Sequence, residues 1–537
     1  MSDRTRRLLH RILLLACAGF FLLALAYALF FHLSLPVAPY DDAYITFRYV
    51  DNLYAGQGLV YNPSERVFGS TTPLYLLWLI LIRGLAPGAP LPELAVRGNA
   101  LWHVASAILA AALIARLHGR RIPALLLGGL YALHPEMLYI SANGMESFLF
   151  LTLILACFLA LAHQKLALAG ALAGLSLVTR PEGAFALAVW GVCWLAWAKP
   201  RSWRGLNWGA LGAALAAPAL WTVLATAYYG SPIPHSIIAK LQPVYLIPPG
   251  WAGATIAGRI WEWAAAPLAS SLPQGVYRLL AGLLLLGGAL GLAATERARR
   301  LAGWALPTFY GMLLLFYWVT NPFLFRWYWP FFWSMAFLFL AAGLPLLGER
   351  LLAHKHLALR ALGAMPLSLA LALLAYQPLI ANSFLHTTLA GEPVTYIEPD
   401  RARLPVYREA AEWLNARTTP ETTVATPEIG ALGYYYHGYI YDACGLVSPQ
   451  ALPYLPAPAS ERNSGWDGVI GTAFVRAVQP DYVVSMTTFS VRSIDVDPWF
   501  LAHYALVERL PLPHEIWGAR EVLIYTRREA APGGAGG

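Results

Sequence analysis

The chain has 537 residues, of which 58% are hydrophobic and only 12% charged, with a formal net charge of +8. That apolar content is more than a soluble protein of this length can bury, so composition excludes an ordinary globular protein and defines a polytopic α-helical membrane protein. Cationic cytoplasmic loops account for the positive excess, which therefore does not point to nucleic acid as a partner.

At the N-terminus, MSDRTRRLLHR precedes an apolar run from Ile12 to Leu33. The run is long enough to span, and no small-residue cleavage site follows it, so it reads as an uncleaved signal anchor. Arg4, Arg6, Arg7 and Arg11 hold the N-terminus in the cytoplasm, which puts the first loop, residues 34–90, outside. That loop contains PYDDAYITFRYVDNLYAGQGLVYNPSERVFGSTTPLY, residues 39–75. A helical run places Tyr44 and Arg48 on the face shared with Asp41. Asp41 and Asp42 are candidates for a general base, with a helix N-terminal charge as the plain alternative. The apolar run 73–82 is too short to cross and reads as a helix at the outer surface.

The later cationic clusters, 116–121, Lys165, 199–204, 297–300 and 350–360, belong inside, so each interval between them crosses the membrane twice. The outer turns are then 134–146, 179–182, about 229–274 and 320–330, and they carry Glu146, the pair Arg180 and Glu182, Lys240, and Arg326 among aromatics. Ionisable groups at such places face a cavity or a partner. The expected topology is about eleven spans, the last from Ala361 to Ile380, with the N-terminus in and the C-terminus out. Cys17, Cys157 and Cys193 lie in apolar spans and Cys444 stands alone in the tail, so no disulfide framework is expected.

Residues 1–381 read as a membrane domain, 382–530 as an extracytoplasmic soluble α/β domain, and 531–537 as a disordered tail. In the second of these, YREAAEWLNA has helical spacing, while TTVATP, YIYDA, DYVVSM and EVLIYT read as short strands. A carboxylate pair, nearby cations and an aromatic rim suit transfer of a group from a lipid-linked phosphate donor to a hydroxyl. ATP and nucleotide sugars are cytoplasmic, so an outward-facing transferase needs a lipid-carried donor. A transporter or flippase of lipid-linked sugars is the alternative, but it predicts charges along the middle of spans.

DDAYITFRY, NLYAGQGLVYNPSERV and GSTTPLY together resemble the first outer loop of the GT-C superfamily of polyprenyl-phosphate-dependent glycosyltransferases. Within it, the chain is most similar to the group containing the mycobacterial terminal arabinofuranosyltransferase. ANGMESFLF at Ala142–Phe150, TRPEG at Thr179–Gly183, YYGSPIPHSIIAK at Tyr228–Lys240 and the tail's IGALGYYYHGYIYDACGLVSP share the resemblance. It implies a GT-C-like fold in the inner (cytoplasmic) membrane, with the active site on the extracytoplasmic side. A single sugar would pass, with inversion, from a polyprenyl phosphate to a cell-envelope glycan, lipid or protein. Asp41 or Asp42 would be the base, and Arg48, Lys240 and Arg326 would hold the donor phosphate. Glu146, Tyr44, Arg180 and Glu182 would form an acceptor or second acidic site. No cofactor is certain; a divalent cation such as Mg²⁺, if any, would fall to Asp42 and Glu146. The group's Pro-Asn-Thr is replaced here by Pro234, His235 and Ser236, and its Glu-Gly-Tyr by Phe68, Gly69 and Ser70. The resemblance therefore leaves the sugar open.

Overall fold

A computed structural model describes residues 2–34, 39–197, 206–242, 245–269, 273–294, 303–352, 370–392, 399–463 and 469–528. The cationic stretches 199–204 and 297–300, most of 350–360, the first half of the expected last span and the 531–537 tail lie outside these. The chain forms two compact units, each built from three segments.

The first unit comprises Met1–Pro36, Glu93–Trp221 and Ile247–Thr395. Among the described residues of the chain, four helices are long and apolar enough to cross a membrane: Asp3–Ser34, Leu91–His118, Trp208–Tyr229 and Arg326–Leu352. Shorter apolar helices include Arg121–Ala132, Ser147–Ala162, Leu166–Thr179, Gly183–Ala196 and Ala305–Thr320. Helices suit lipid because every backbone polar group is satisfied within the segment. Leu22 and Leu23 are 65% and 72% exposed on the first helix, an apolar surface fit for lipid rather than water. The protein is a multi-pass membrane protein. Where helices meet, small residues permit close approach. A Cβ on Gly291 would collide with the Gly343 carbonyl, and one on Gly288 with that of Phe339.

Two stretches differ from the sequence reading. Residues 134–146 are not an open turn: Pro135–Ser141 is a short helix, and Met137 to Ser141 are buried. The expected outer segment 229–274 contains the helix Trp251–Ala269. Both stretches carry apolar residues between their polar ones, Met137, Leu138 and Ile140 in the first and Ala252, Ile256 and Ile260 in the second, and these are buried.

The second unit comprises Val37–Pro92, Thr222–Leu246 and Tyr396–Gly537. The first loop thus groups with the tail, unlike the division at 381/382 drawn from the sequence. Its helices include Asp41–Tyr54, Pro73–Leu85, His235–Lys240 and Arg403–Asn415. The strands are β1 (Thr423–Thr426), β2 (Tyr439–Asp442), β3 (Tyr482–Met486), β4 (Tyr504–Ile516) and β5 (Ala519–Arg527). They form one mixed sheet in the order β2-β1-β3-β5-β4. β1 is parallel to β2 and β3, whereas β5 runs antiparallel to β3 and β4. The core is drawn from the tail itself, including Ala425, Ile470, Phe474, Val483, Phe500 and Leu523. Four of the strands match the segments read from the sequence. The fifth, β4, escapes that reading because Pro511 and Pro513 interrupt its pattern. Proline is tolerated there because β4 is an edge strand.

Candidate active site

The helix Asp41–Tyr54 starts after Tyr40, whose backbone is extended and whose side chain makes no cap. Asp41 and Asp42 occupy its first turn, where the positive end of the helix dipole favours carboxylates. Asp41 is buried, and both of its oxygens are engaged by the tail: Ala431 N–H donates at 2.8 Å and Gly430 N–H at 3.2 Å. Gly430 is glycine for a steric reason, because a Cβ there would strike the Asp41 backbone carbonyl and carboxyl. Asp42 is only half-buried.

Arg48 binds the same tail loop with the opposite polarity. Its Nε donates to the Tyr61 carbonyl at 2.7 Å and its Nη2 to the Gly438 carbonyl at 2.7 Å. Its Nη1 donates to the carbonyls of Gly433 and Tyr436. The guanidinium lies 4.5 Å over the Tyr61 ring, and the side chain is 5% exposed. With its donors so committed, Arg48 clamps the loop rather than presenting a charge to a ligand. Asn62 adds a third tie, donating to the Ile440 carbonyl at 2.9 Å and accepting from Ile440 N–H at 3.0 Å on edge strand β2.

The 228–240 segment joins this assembly. The Tyr229 hydroxyl donates to the Leu59 carbonyl at 2.7 Å, and Leu59 N–H donates to the Tyr228 hydroxyl at 3.0 Å. His235 N–H donates to the Phe68 carbonyl at 2.8 Å, which anchors the helix His235–Lys240. Lys240 ends that helix and is exposed. Tyr44 is buried against the rings of Tyr434 and Tyr435. Burial, then Tyr435, push its hydroxyl above the usual range.

Two carboxylates of this unit were not singled out by sequence. Glu428 accepts from Arg403 Nε at 2.9 Å and lies two residues before Gly430. Burial pushes it up to about 7; Arg403 opposes the rise and the charge of Asp41 adds to it. Asp442, at the end of β2, accepts from the N–H groups of Cys444, Leu446 and Val447. Burial nevertheless pushes it up to about 6. The only signal was position: Glu428 immediately precedes the resemblance-bearing tail motif, which begins at Ile429, and Asp442 lies within it.

The remaining candidates lie in the first unit. Arg180 donates to Glu146, and its Nη2 donates to Glu182 at 2.8 Å. The Tyr317 hydroxyl also donates to Glu182, and Tyr328 and Phe331 lie under the guanidinium at 4.7 and 5.1 Å. All three charged side chains are buried. This is one arginine between two carboxylates, 34 residues apart in sequence at the wider pair. Arg326 is elsewhere in that unit, half-buried, with Nη2 2.9 Å from Glu136 and its guanidinium 4.9 Å over Tyr139. Glu136 was missed because it was read as part of a turn. Among the described residues no three His, Cys, Asp or Glu side chains converge as a metal cage; Asp42 and Glu146 belong to different units.

The crystal structure of ArnT from Cupriavidus metallidurans in the apo state aligns over 95% of this chain and 98% of its own, with a TM-score of 0.52 at 12% identity. In sequence, the chain is 30% identical over 285 residues to the terminal beta-(1->2)-arabinofuranosyltransferase of Corynebacterium glutamicum, covering 48% of this chain and 39% of the relative. It therefore spans well under half of that protein's length. The arabinofuranosyltransferase AftD from Mycobacteria aligns over 95% of this chain and 41% of its own, at 16% identity and a TM-score of 0.45. Residues 396–525 match a family described as Domain of unknown function (DUF8728).

Proposed function

We propose that this chain is a membrane glycosyltransferase that moves one sugar from a polyprenyl-phosphate donor to a hydroxyl of a cell-envelope acceptor, on the extracytoplasmic side. The observation that carries the reading is that the first-loop, 228–240 and tail motifs, remote in sequence, share one compact unit and are hydrogen-bonded to one another around Asp41. The similarity to a terminal arabinofuranosyltransferase supports the reaction class.

Asp42 is the base and Asp41 the residue that positions it. Asp41 is held by two N–H groups, whereas Asp42 retains access to solvent. Asp42 takes the acceptor's hydroxyl proton as that oxygen attacks the anomeric carbon. The bond from that carbon to the phosphate oxygen breaks, polyprenyl phosphate leaves with the bonding pair, and the configuration inverts. Lys240, exposed at the end of its helix, neutralises the departing phosphate. Arg48 has no part in that step. The buried Glu146–Arg180–Glu182 group serves as the second acidic site, with one carboxylate more than its arginine neutralises.

The test uses purified protein in lipid nanodiscs, a panel of radiolabelled polyprenyl-phosphate sugars and a crude envelope acceptor. Asp42→Asn lowers transfer by about 10²–10⁴-fold with the fold intact, while Asp41→Asn also lowers the melting temperature. Full transfer by Asp42→Asn would remove it as the base, and no transfer by the wild type from any donor would sink the enzyme class.

A further inference from the structure

A cavity of about 320 Å³ opens beside the β4–β5 hairpin, lined by Pro399, Asp400, Glu515, Ile516 and Trp517. Its volume is at the lower end of the range for small-molecule sites, roughly 300–1,000 Å³. Trp517 occupies the hairpin turn with φ +50°, followed by Gly518 at φ +82°. Two successive positive φ values suit Asn-Gly or Gly-Gly, not an indole. A bulky residue held there costs on the order of 1 kcal/mol, so turn formation does not explain the tryptophan. The side chain is fixed in place: the Arg403 guanidinium lies 4.5 Å over its ring, Phe489 is 6.3 Å away edge-on, and Thr488 Oγ1 donates to its carbonyl at 2.9 Å.

We propose that this cavity is a subsite for a neutral saccharide unit of the acceptor glycan. The inference rests on the transferase reading for the word acceptor, but the binding chemistry stands by itself. An indole offers a flat apolar surface to the C–H face of a sugar ring, and carboxylates accept strongly from its hydroxyls. Asp400 and Glu515 supply two carboxylates, which disfavour a phosphate, so the donor headgroup is not the occupant. Glu515 is exposed, and Arg520 reaches only its Oε2, through Nε and Nη2 at 3.2 Å, so a sugar hydroxyl would donate to Oε1.

The cavity wall is wired to the candidate base region through Arg403. Its Nη1 donates to the Asp400 carbonyl at 2.5 Å and its Nε to Glu428. Glu428 begins the short loop whose Gly430 and Ala431 hold Asp41. A glycan bound against Trp517 would therefore lie along the same network that fixes the first-loop carboxylates.

Isothermal titration of the full-length protein in nanodiscs with neutral tetrasaccharides of arabinofuranose, mannose and glucose tests the proposal. At least one probe binds saturably, Trp517→Gly weakens it about tenfold or more, and Glu515→Gln weakens it measurably. Glycine suits the φ of position 517, and Glu515 is exposed, so neither variant depends on refolding the hairpin. Absence of saturation with every probe up to ~10 mM, or unchanged binding by both cavity variants, would overturn the subsite. Binding lost in Trp517→Gly alongside a wild type that transfers no sugar would uphold the subsite and sink only the transferase reading.

Discussion

Glu428 couples the candidate site to pH. Its folded-state value, about 7, exceeds the ordinary 4.5 because burial disfavours the charged form, with Arg403 opposing and Asp41 reinforcing. The folded protein therefore holds a proton that the unfolded chain releases across that interval. The stabilisation is fully present below about pH 4.5 and is lost as pH rises through 7, by at most about 3 kcal/mol. Asp442, pushed up to about 6, acts in the same direction over a lower window. The expected outcome is a melting temperature that falls from about pH 5 to 8, with a shallower slope in Glu428→Gln, where Asp442 alone remains. Equal slopes in the two proteins would show that Glu428 is not held protonated by the fold.

At the scale of elements, the decisive contact is between the first turn of the helix Asp41–Tyr54 and the loop that follows β1. It depends on a missing side chain. A methyl group on Gly430 would meet the Asp41 backbone, which cannot yield as a flexible side chain can. Gly430→Ala must lift the loop and forfeit both N–H bonds to the Asp41 carboxylate, at a cost of about 1–3 kcal/mol. Transfer should fall about tenfold or more, since a small misplacement of the base region is costly. Gly88→Ala is the control, because its Cβ would meet nothing within 4 Å. Thermal melts and transfer rates measured side by side decide it: a Gly430→Ala protein indistinguishable from Gly88→Ala would mean that the loop does not hold Asp41.

Across the whole molecule, the legible features were those set by local pattern. Apolar length marked the helices, short apolar runs marked four strands, and adjacent carboxylates marked the start of Asp41–Tyr54. The partners of those residues were not legible, because Asp41 and Gly430 are 389 positions apart and no spacing rule connects them. Arg48 shows the consequence: as a cation on the same helix face as a carboxylate it looked like a phosphate ligand, yet three of its four carbonyl acceptors lie 385, 388 and 390 residues away. The second unit is therefore asymmetric in its dependence, and that asymmetry can be measured. Residues 399–528 carry their own sheet and their own core, so a 396–528 fragment should fold by itself. Its 428–438 segment should exchange amide hydrogen quickly, having lost Asp41 and Arg48. A chain ending at residue 395 fares worse, because Arg48 would keep only the Tyr61 carbonyl among its acceptors and Asp41 would lose both donors. The helix Asp41–Tyr54 would also lose the tail rings packed on Tyr44 and Phe47. Hydrogen exchange read by mass spectrometry in nanodiscs should show that helix protected in the full chain and open in the truncated one. Protection retained at residues 41–54 without the tail would mean that the first loop is organised by something other than the contacts that tie it to the sheet.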